Sequence, residues 1–369
     1  MKVGIVGLPQ AGKTTVFNLL THGHAETSSW GGKAEAHVGV ARVPDPNLDR
    51  LGVMFQPRKV IHATIDYVDL PGLPRGELKA GLGGQTRELS ALLQDVKNVD
   101  ALLHVVRAFE DPNIPHPGGS VDPLRDIQLF ELEMIFADLV IAEKRLERLA
   151  RDLKKMRSPE LESEQGILER FKPALEAERP LRDLELTGEE HKRVRGFTFL
   201  SAKPILLVLN LGDADAAKIP RVVQEFKLEG HTATRSVGIT AVCGKIESEI
   251  ASLSDEDARA FIEDLGLETS GLARIVRECY SLLGLISFYT IGDTEVRAWT
   301  IPRNTTAVQA AGVIHSDFEK GFIKAEVVDY KDLVALGSFQ GARHKGVLRL
   351  EGKDYVVREG DVILFRFNV

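Results

Sequence analysis

Short β-branched runs alternate with helical stretches over residues 1 to about 120, the pattern of a parallel sheet covered by helices. The predicted strands in this part are residues 3–6, 38–43, 64–68 and 101–106. The pattern resumes with an apolar run at 204–210, suited to a strand buried on both faces, and with a strand at 236–242. The sequence therefore predicts an α/β fold with a mainly parallel sheet that is interrupted once.

The interruption carries the spacing of a coiled coil. Apolar residues recur at alternating intervals of three and four, with charged residues between them. This seam consists of Leu132, Ile135, Leu139, Ala142, Leu146, Leu149, Leu153 and Met156. Ser158 and Pro159 end the pattern, and apolar residues between 168 and 175 indicate a second helix that returns along the first. We predict an inserted antiparallel helical arm over residues 131–199.

The last part of the chain has a pattern of its own. Helices fill residues 246–283, and Ser254 is the predicted cap of a helix at 255–265. Beyond them we predict a small α+β domain at 285–369. Its predicted strands lie around 286–289, 296–300, 348–350 and 362–367, with a helix near 307–314.

Composition limits the class of protein. The chain has 369 residues, of which 43% are hydrophobic and 27% charged, typical of a globular protein with two or three domains. Neither a membrane-spanning run nor a signal peptide is predicted. Cys243 and Cys279 are too few for a disulfide framework and fit a reducing compartment, so we predict a cytoplasmic location. The net charge of −7 argues against non-specific adhesion to naked nucleic acid but leaves open local basic patches that dock on RNA. Sequence-specific DNA binding is not predicted.

One loop carries a complete phosphate-binding pattern. Residues 7–14 read GLPQAGKT, which matches G-x-x-x-x-G-K-[ST]. This spacing lets successive backbone N–H groups point at phosphate oxygens at the start of a helix. We expect Lys13 to reach the β- and γ-phosphates and the Thr14 hydroxyl to coordinate Mg²⁺. The loop follows a predicted strand and precedes apolar residues at helical spacing, so we predict nucleotide binding.

A second motif separates G proteins from other P-loop proteins. Residues 68–73 read VDLPGL, a strand end followed by D-x-x-G. We expect Asp69 to hold a water molecule on Mg²⁺ and the Gly72 amide to donate to the γ-phosphate. The position of this motif after the P-loop favours a G-protein-type domain over a small-molecule kinase or an ABC-type ATPase.

The base pocket of such a domain is also recognisable. Asn210, Leu211 and Asp213 follow a buried strand where G proteins carry N-K-x-D, and the loop containing Val242 and Cys243 takes the position of their S-A-K. Asp213 can accept the N–H groups of guanine, but Leu211 replaces the lysine that covers the base. We expect Asn210 to tie the base loop to the P-loop. These residues leave ATP and GTP both open.

Hydrolysis lacks its usual water-orienting side chain. Leu73 follows the D-x-x-G motif where hydrolytic GTPases place a glutamine, and leucine can neither accept from nor donate to water. We therefore predict slow hydrolysis or a group from elsewhere. His116 is the candidate, since imidazole can orient or deprotonate water. The alternative for His116 is an exposed loop histidine without a role.

Longer strings resemble the YchF family of Obg-like ATPases over nearly the whole chain. The matching stretches are residues 4–9 (GIVGLP), 100–114, 121–127 (VDPLRDI), 200–204 (LSAKP), 296–301 (VRAWTI), 310–322 (AAGVIHSDFEKGF) and 360–369. The resemblance implies a G domain at 1–130 and 200–284, a coiled-coil arm at 131–199 and a β-grasp TGS domain at 285–369.

The resemblance also implies functional residues and partners. Family members favour ATP over GTP, associate with ribosomes and use a loop histidine, here His116, in place of the glutamine. The backbone at Leu211 would face adenine. The implied phosphate-loop contacts are Pro9, Gln10, Ala11, Gly12, Lys13, Thr14 and Thr15.

The sequence departs from the family pattern at two places that bear on function. Asp213 stands where the family has glutamate, which weakens the inference of an ATP preference. Lys33 stands where the first switch region offers a threonine to Mg²⁺. Thr27, Ser28 and Ser29 are the alternative ligands if this loop folds differently.

We therefore predict a Mg²⁺-dependent purine NTPase with slow ATP hydrolysis. Its nucleotide state would control association with the ribosome, as the large subunit or the whole particle, or with another RNA-rich partner. Two alternatives stay open: a nucleotide-sensing binding protein with negligible turnover, favoured by Leu73 and Lys33, and a GTP-specific switch, which rests on Asp213.

Overall fold

The computed structural model describes residues 1–21, 37–70, 95–231, 236–292 and 294–368. The chain divides into two compact units. They are Met1–Gly39 with Asp66–Ile275, and Val40–Ile65 with Val276–Val369.

The strands and helices of the described residues are named here in chain order. The strands are β1 (Lys2–Val6), β2 (His37–Arg42), β3 (Lys59–Ile61), β4 (Thr64–Asp69), β5 (Ala101–Ala108), β6 (Ile205–Leu211), β7 (Val237–Val242), β8 (Leu285–Ile291), β9 (Glu295–Pro302), β10 (Phe322–Asp329), β11 (Arg349–Glu351) and β12 (Asp361–Phe367). The α-helices are α1 (Lys13–Leu20), α2 (Pro46–Phe55), α3 (Pro123–Lys155), α4 (Pro159–Glu176), α5 (Gly188–Val194), α6 (Val222–Glu225), α7 (Gly244–Ile250), α8 (Asp255–Asp264), α9 (Gly271–Leu282), α10 (Ala307–Ile314), α11 (Ser316–Lys320), α12 (Tyr330–Leu336) and α13 (Phe339–His344).

The first sheet confirms the predicted α/β architecture. Within the described ranges its strand order is β2-β4-β1-β5-β6-β7. The pairings of β1 with β4 and β5, and of β6 with β5 and β7, are all parallel. Every residue of β5 and β6 is buried, as expected for apolar strands in the middle of a sheet covered on both faces. The carboxyl ends of these parallel strands therefore meet at one edge.

Most of the predicted seam contributes to the core of the helical arm, but Met156 lies beyond the end of α3 and is 68% exposed. Ile135, Ala142 and Leu149 of α3 are buried in one cluster with Ile167 and Phe171 of α4. Helix α3 begins before the predicted arm boundary of 131, because the Asp122 carboxylate caps it and a proline occupies its first turn. None of the helices in the described part combines the length and apolar character needed to cross a bilayer.

The second unit is built on another mixed sheet. Its strand order is β11-β10-β12-β8-β9-β3 among the described residues. Strand β10 was not predicted from the sequence, because a lysine and the buried Glu326 interrupt its apolar pattern. Strand β3 was not predicted either, and it pairs in parallel with β9 from the far end of the chain. The 40–65 segment thus belongs to a compact unit with 276–369, although the predicted boundaries grouped it with 1–130.

One buried carboxylate fastens the arm to the sheet. Asp138 of α3 is fully buried and accepts hydrogen bonds from the Leu200 N–H at 2.8 Å and from the N–H and hydroxyl of Ser201, both at 2.7 Å. Burial raises the pKa of Asp138 to about 6, against the opposing effect of these donors. Since Ser201 lies shortly before β6, the arm is anchored at the start of a central strand.

We expect Asp138→Ala to lower the free energy of unfolding by about 2–4 kcal/mol, because buried donors left without an acceptor cost roughly 1–3 kcal/mol each. Urea denaturation followed by circular dichroism measures the change. Glu147→Ala, at an exposed position of the same helix, is the matched control and should change stability little. Equal stability of the two variants would contradict this anchoring role.

Candidate active site

The predicted site residues that the structure describes lie at the carboxyl edge of the first sheet. The loop after β1 runs into α1, Asp69 ends β4, Asn210 lies near the end of β6, and Cys243 follows β7. Open parallel sheets bind ligands outside the carboxyl ends of their strands. The fold therefore brings together motifs that lie about 200 residues apart in the sequence.

Two glycines allow the phosphate loop to adopt its backbone path. Gly7 has φ of +144°, and a Cβ there would lie 2.3 Å from the Val105 carbonyl oxygen. Gly12, the residue before α1, has φ of +96°, and its Cβ would lie 2.4 Å from Asn210 Nδ2. Any side chain at either position would be strained and would clash, so the G-x-x-x-x-G spacing is a steric requirement here.

Lys13, Thr14 and Asp69 form the polar centre of the loop. Lys13 Nζ donates to the Leu8 carbonyl at 3.0 Å, and Thr14 Oγ1 donates to Asp69 Oδ2 at 3.0 Å. Burial lowers the pKa of Lys13, while Asp69 acts to raise it. Burial likewise raises the pKa of Asp69, while Thr14 and Lys13 act to lower it. Both charges are therefore held partly desolvated and poised for a charged ligand.

The oxygen donors of this centre fit a magnesium ion. Asp69 Oδ1 is buried and has no hydrogen-bond partner within the part of the chain that the structure describes. A buried carboxylate oxygen without a partner beside a hydroxyl is the kind of donor set that Mg²⁺ takes, with its remaining positions filled by water and phosphate. Thr14 and Asp69 are the residues that would hold it.

The other predicted residues of the phosphate loop differ in exposure. Pro9, Gln10 and Thr15 are exposed, whereas Ala11 is buried. Gln10 has φ of +63°, the left-handed region, as the tight loop requires.

Asn210 connects the phosphate loop to the base loop. Its Nδ2 donates to the Ala11 carbonyl at 3.1 Å, and its Oδ1 accepts from the Gly244 N–H at 3.1 Å. The side chain is almost fully buried, so both bonds are shielded from water. The neighbouring base-pocket residues Leu211 and Val242 are also buried.

The Asp213 carboxylate contacts two side chains of the loop that follows β7. Its carboxylate forms an ion pair with Lys245 and accepts from Cys243 Sγ at 3.2 Å. The hydrogen bond from Lys245 lowers the pKa of Asp213. Cys243 itself is buried, and burial raises the pKa of its thiol. Lys245 was not among the predicted site residues, although its position in the S-A-K-like loop could have indicated it.

His116 is held inside its loop. Its Nε2 lies 2.9 Å from Asp126 Oδ2, and its Nδ1 accepts from the Gly118 N–H at 2.9 Å. Its side chain is 3% exposed, which excludes the alternative of an exposed loop histidine for this conformation. With both ring nitrogens engaged, this imidazole does not present a free nitrogen to water. A catalytic role for His116 requires the loop to open, and it stays a prediction.

Two further residues of β5 support this region and were not predicted. His104 is fully buried behind the phosphate loop, and burial lowers its pKa to about 3, with Lys13 acting in the same direction. Arg107 donates to the carbonyls of Phe109 and Ile114, which fixes the start of the His116 loop. Both are polar residues in an otherwise apolar strand, and this departure from the pattern could have indicated them.

Several predicted residues lie outside the described ranges. They are Gly72, Leu73, Lys33, Thr27, Ser28 and Ser29.

A phosphate loop at the carboxyl edge of a parallel sheet, followed by a D-x-x-G aspartate and a base-loop asparagine, defines a P-loop NTPase of the G-protein type. Family models agree with this class. A model described as a 50S ribosome-binding GTPase matches residues 2–136, and the YchF-GTPase C-terminal model, described as a protein of unknown function, matches residues 285–368.

Individual relatives match the whole chain. The chain is 42% identical to the ribosome-binding ATPase YchF of Bacillus subtilis, over 100% of both sequences. It is 40% identical to the proteins of the same name from Haemophilus influenzae and Escherichia coli O157:H7, over 100% of this chain and 99% of theirs. The YchF GTPase of Schizosaccharomyces pombe superposes with a TM-score of 0.81 at 28% identity, covering 99% of this chain and 97% of that one. The chain belongs to the YchF family.

We expect Asn210→Ala to weaken nucleotide binding by roughly tenfold and to lower stability by about 1–3 kcal/mol, because it leaves a buried carbonyl and a buried N–H without partners. Equilibrium titration with a fluorescent nucleotide and thermal unfolding measure the two effects. Asn98→Ala, at an exposed position, is the matched control. Wild-type affinity in Asn210→Ala would show that the loops hold their positions without this amide.

Proposed function

We propose that the protein is a Mg²⁺-dependent purine NTPase that hydrolyses ATP slowly and uses its nucleotide state to control association with the ribosome. The cluster of Lys13, Thr14 and Asp69 carries this proposal. It places an ammonium group, a hydroxyl and a carboxylate oxygen that has no hydrogen-bond partner among the described residues at the start of one helix.

The phosphate loop supplies binding and charge stabilisation. Lys13 is released from the Leu8 carbonyl when a phosphate oxygen takes that carbonyl's place, which restores a counter-charge to a desolvated ammonium. The N–H groups at the start of α1 add the positive end of the helix dipole. Thr14 and Asp69 would hold Mg²⁺, which when bound neutralises charge on the phosphate oxygens.

The proposed slow turnover follows from the lack of a free side chain that could orient the attacking water. The sequence has leucine, not glutamine, after the D-x-x-G motif, so that position offers no hydrogen bond to water. His116 is the remaining candidate, and its two ring nitrogens are engaged by Asp126 and Gly118. Hydrolysis must therefore await the release of the imidazole from both partners.

The base loop supports a modest preference for ATP. Guanine recognition needs a carboxylate that accepts two N–H groups, but Lys245 and Cys243 already occupy the two oxygens of Asp213. Adenine makes no such demand, so the pair can persist when ATP binds. Because Asp213 and Lys245 are largely exposed, their ion pair is worth at most about 1 kcal/mol, and the preference should be correspondingly small.

Ribosome association is proposed from the relatives. The curated proteins that match this chain over its full length are named ribosome-binding ATPases. Co-sedimentation of this protein with ribosomes, in the presence of ATP, ADP or no nucleotide, tests whether that property extends to it. The same amount of sedimented protein in all three conditions would remove the switching role.

We expect Lys13→Ala to reduce ATP affinity by at least about a hundredfold, since it removes the cation that is placed against the phosphates. Titration with labelled ATP and GTP, with and without Mg²⁺, measures affinity, and phosphate release measures turnover. Lys2→Ala, at an exposed lysine of the same unit, is the control. Tight binding by wild type without phosphate release would favour the nucleotide-sensing alternative.

We expect Lys245→Ala to raise GTP affinity relative to ATP by up to about fivefold, because it frees one oxygen of Asp213 for guanine. Asp213→Ala should leave ATP affinity nearly unchanged and weaken GTP binding. Competition titrations of both variants measure the ratio. A strong GTP preference in wild type would support the GTP-specific switch and contradict the proposed role of the Asp213–Lys245 pair.

A further inference from the structure

A cleft opens at the amino edge of the first sheet, on the side away from the phosphate loop. Asp100, Pro204 and Ser236 line it, and each is the residue directly before β5, β6 or β7. Most of its other lining residues lie between 181 and 203, in the segment that leads back to β6. The cleft has a volume of about 830 Å³, and all of its lining residues belong to the first compact unit. We name this space the root cleft.

The root cleft is separate from the carboxyl edge that carries the phosphate loop. Strands β5 and β6 have eight and seven residues. Because a strand rises about 3.3 Å per residue, the two edges of the sheet lie about 23–26 Å apart. None of the residues placed in the candidate active site above lines the root cleft. A ligand bound here would therefore contact neither Lys13 nor Asp69.

The walls that come from the returning segment are apolar. Leu181, Val194 and Phe199 are buried members of the arm core, and Leu184 and Leu186 pack on that core while partly exposed. Ligand sites in proteins are clefts of roughly 300–1,000 Å³ lined mainly by apolar side chains with a few polar groups. The root cleft thus has the size and the walls that bury the body of a small organic ligand.

The same cleft has an excess of positive charge. Four cations line it against the carboxylates of Asp100 and Glu185, which leaves two positive charges in excess when histidine is neutral. The four cations are Arg182, Lys192, Arg195 and Lys203. Since the whole chain carries a net charge of −7, this local excess runs against the average composition. It favours an anionic ligand.

Arg182 is a buried cation at this site. Its side chain is 3% exposed, Nη2 forms an ion pair with Glu131, and Nη1 donates to the Ser201 carbonyl at 3.3 Å. Its Nε is buried and has no hydrogen-bond partner among the residues that the structure describes. Burial lowers the pKa of Arg182 to about 10, with Asp183 acting in the opposite direction. A desolvated guanidinium with an unused N–H gains a charge-assisted hydrogen bond when an anion supplies the acceptor.

The other three cations of the cleft lack a carboxylate partner. Lys203 Nζ donates to the carbonyls of Val99 at 2.6 Å and Lys97 at 3.2 Å, and burial lowers its pKa. Lys192 and Arg195 are exposed. Within the described ranges, none of the three forms an ion pair. An anionic group in the cleft would supply the counter-charge that these side chains lack.

These features favour a small ligand over other partners. A nucleic-acid backbone is bound by rows of exposed cations, whereas Arg182 is buried beside apolar walls. A free divalent cation would be repelled by the positive excess. A ligand that combines a flat apolar body with an anionic group matches both the walls and the charges of the root cleft.

We propose that the root cleft binds a small aromatic anion, a planar ring system that carries a phosphate or a carboxylate. The ring packs against the apolar side chains of Leu184, Leu186 and Phe199. The anionic group lies among the cations, with Arg182 as the buried donor. The proposal depends neither on the nucleotide site nor on ribosome association.

Isothermal titration calorimetry with two probes, naphthoate and AMP, tests the proposal. Saturating Mg²⁺ and a non-hydrolysable ATP analogue are present, so that AMP does not occupy the carboxyl edge. We expect wild type to bind at least one probe more tightly than it binds inorganic phosphate or uncharged naphthol. Tighter binding of AMP identifies phosphate as the preferred anionic group, and tighter binding of naphthoate identifies carboxylate. Higher ionic strength should weaken binding, since two of the cations are exposed.

A charge variant tests the contribution of the cations. Lys192→Gln combined with Arg195→Gln should weaken binding of the preferred probe on the order of tenfold, because it removes two cations from the cleft. Lys154→Gln combined with Arg157→Gln removes the same charge from exposed positions that do not line the cleft. This control should bind the probe as wild type does.

A blocking variant tests the location without changing charge. Ala202 is exposed and lines the cleft, so Ala202→Trp places a large ring in the space that the ligand would occupy. We expect it to abolish probe binding. Ala150→Trp, at an exposed position of α3 outside the cleft, is its control and should leave binding unchanged.

Melting temperature and affinity for the ATP analogue show that each variant is folded. Absence of binding of both probes to wild type at millimolar concentration would overturn the proposal. So would equal probe affinity in wild type and the two cleft variants, because the probe would then bind elsewhere. Inorganic phosphate that binds as tightly as either probe would also overturn it, since the apolar walls would then contribute nothing. None of these measurements uses turnover or ribosomes, so the proposed function can fail without affecting their interpretation.

Discussion

The amide of Asn210 is the contact on which the nucleotide edge depends. It lies at the end of β6, two strands away from β1 in the sheet, and it reaches both the Ala11 carbonyl and the Gly244 N–H. An amide carries its donor and its acceptor on separate atoms, so one short side chain can donate to one loop and accept from the other. The absence of a Cβ at Gly12 follows from this contact, because Asn210 Nδ2 occupies that space.

The charges of Lys13 and Asp69, close to this contact, are only partly compensated by each other. Burial disfavours the charged forms of both Lys13 and Asp69, and their mutual attraction offsets only part of that effect. The proposed ligand, a triphosphate with a divalent cation, would supply an anion for the lysine and a cation for the carboxylate. Desolvation that is unfavourable in the free protein therefore becomes a source of specificity for a charged ligand.

Features that depend on the spacing within one short segment could be predicted from the sequence. The phosphate loop, the apolar strands and the arm seam each follow from a spacing within one short segment, and the structure has them within one or two residues. Features that join distant segments were not predicted: β3 pairs with β9, and Lys245 reaches Asp213. The burial of His116 against Asp126 was missed for a related reason, since a loop histidine carries no periodic pattern that indicates its partner.

Strand β6 offers a physical connection between the arm and the nucleotide edge. Asp138 of the arm holds Ser201, shortly before the strand, and Asn210 near its end holds the phosphate loop. Every residue of β6 is buried, and β5 and β7 flank it, so the strand can transmit a shift along its axis better than it can absorb one. Coupling also requires two discrete arrangements at one of the two ends. The two ends are the hydrogen bonds from Ser201 to Asp138 and from Asn210 to the Ala11 carbonyl, so a second arrangement would have to change one of these contacts.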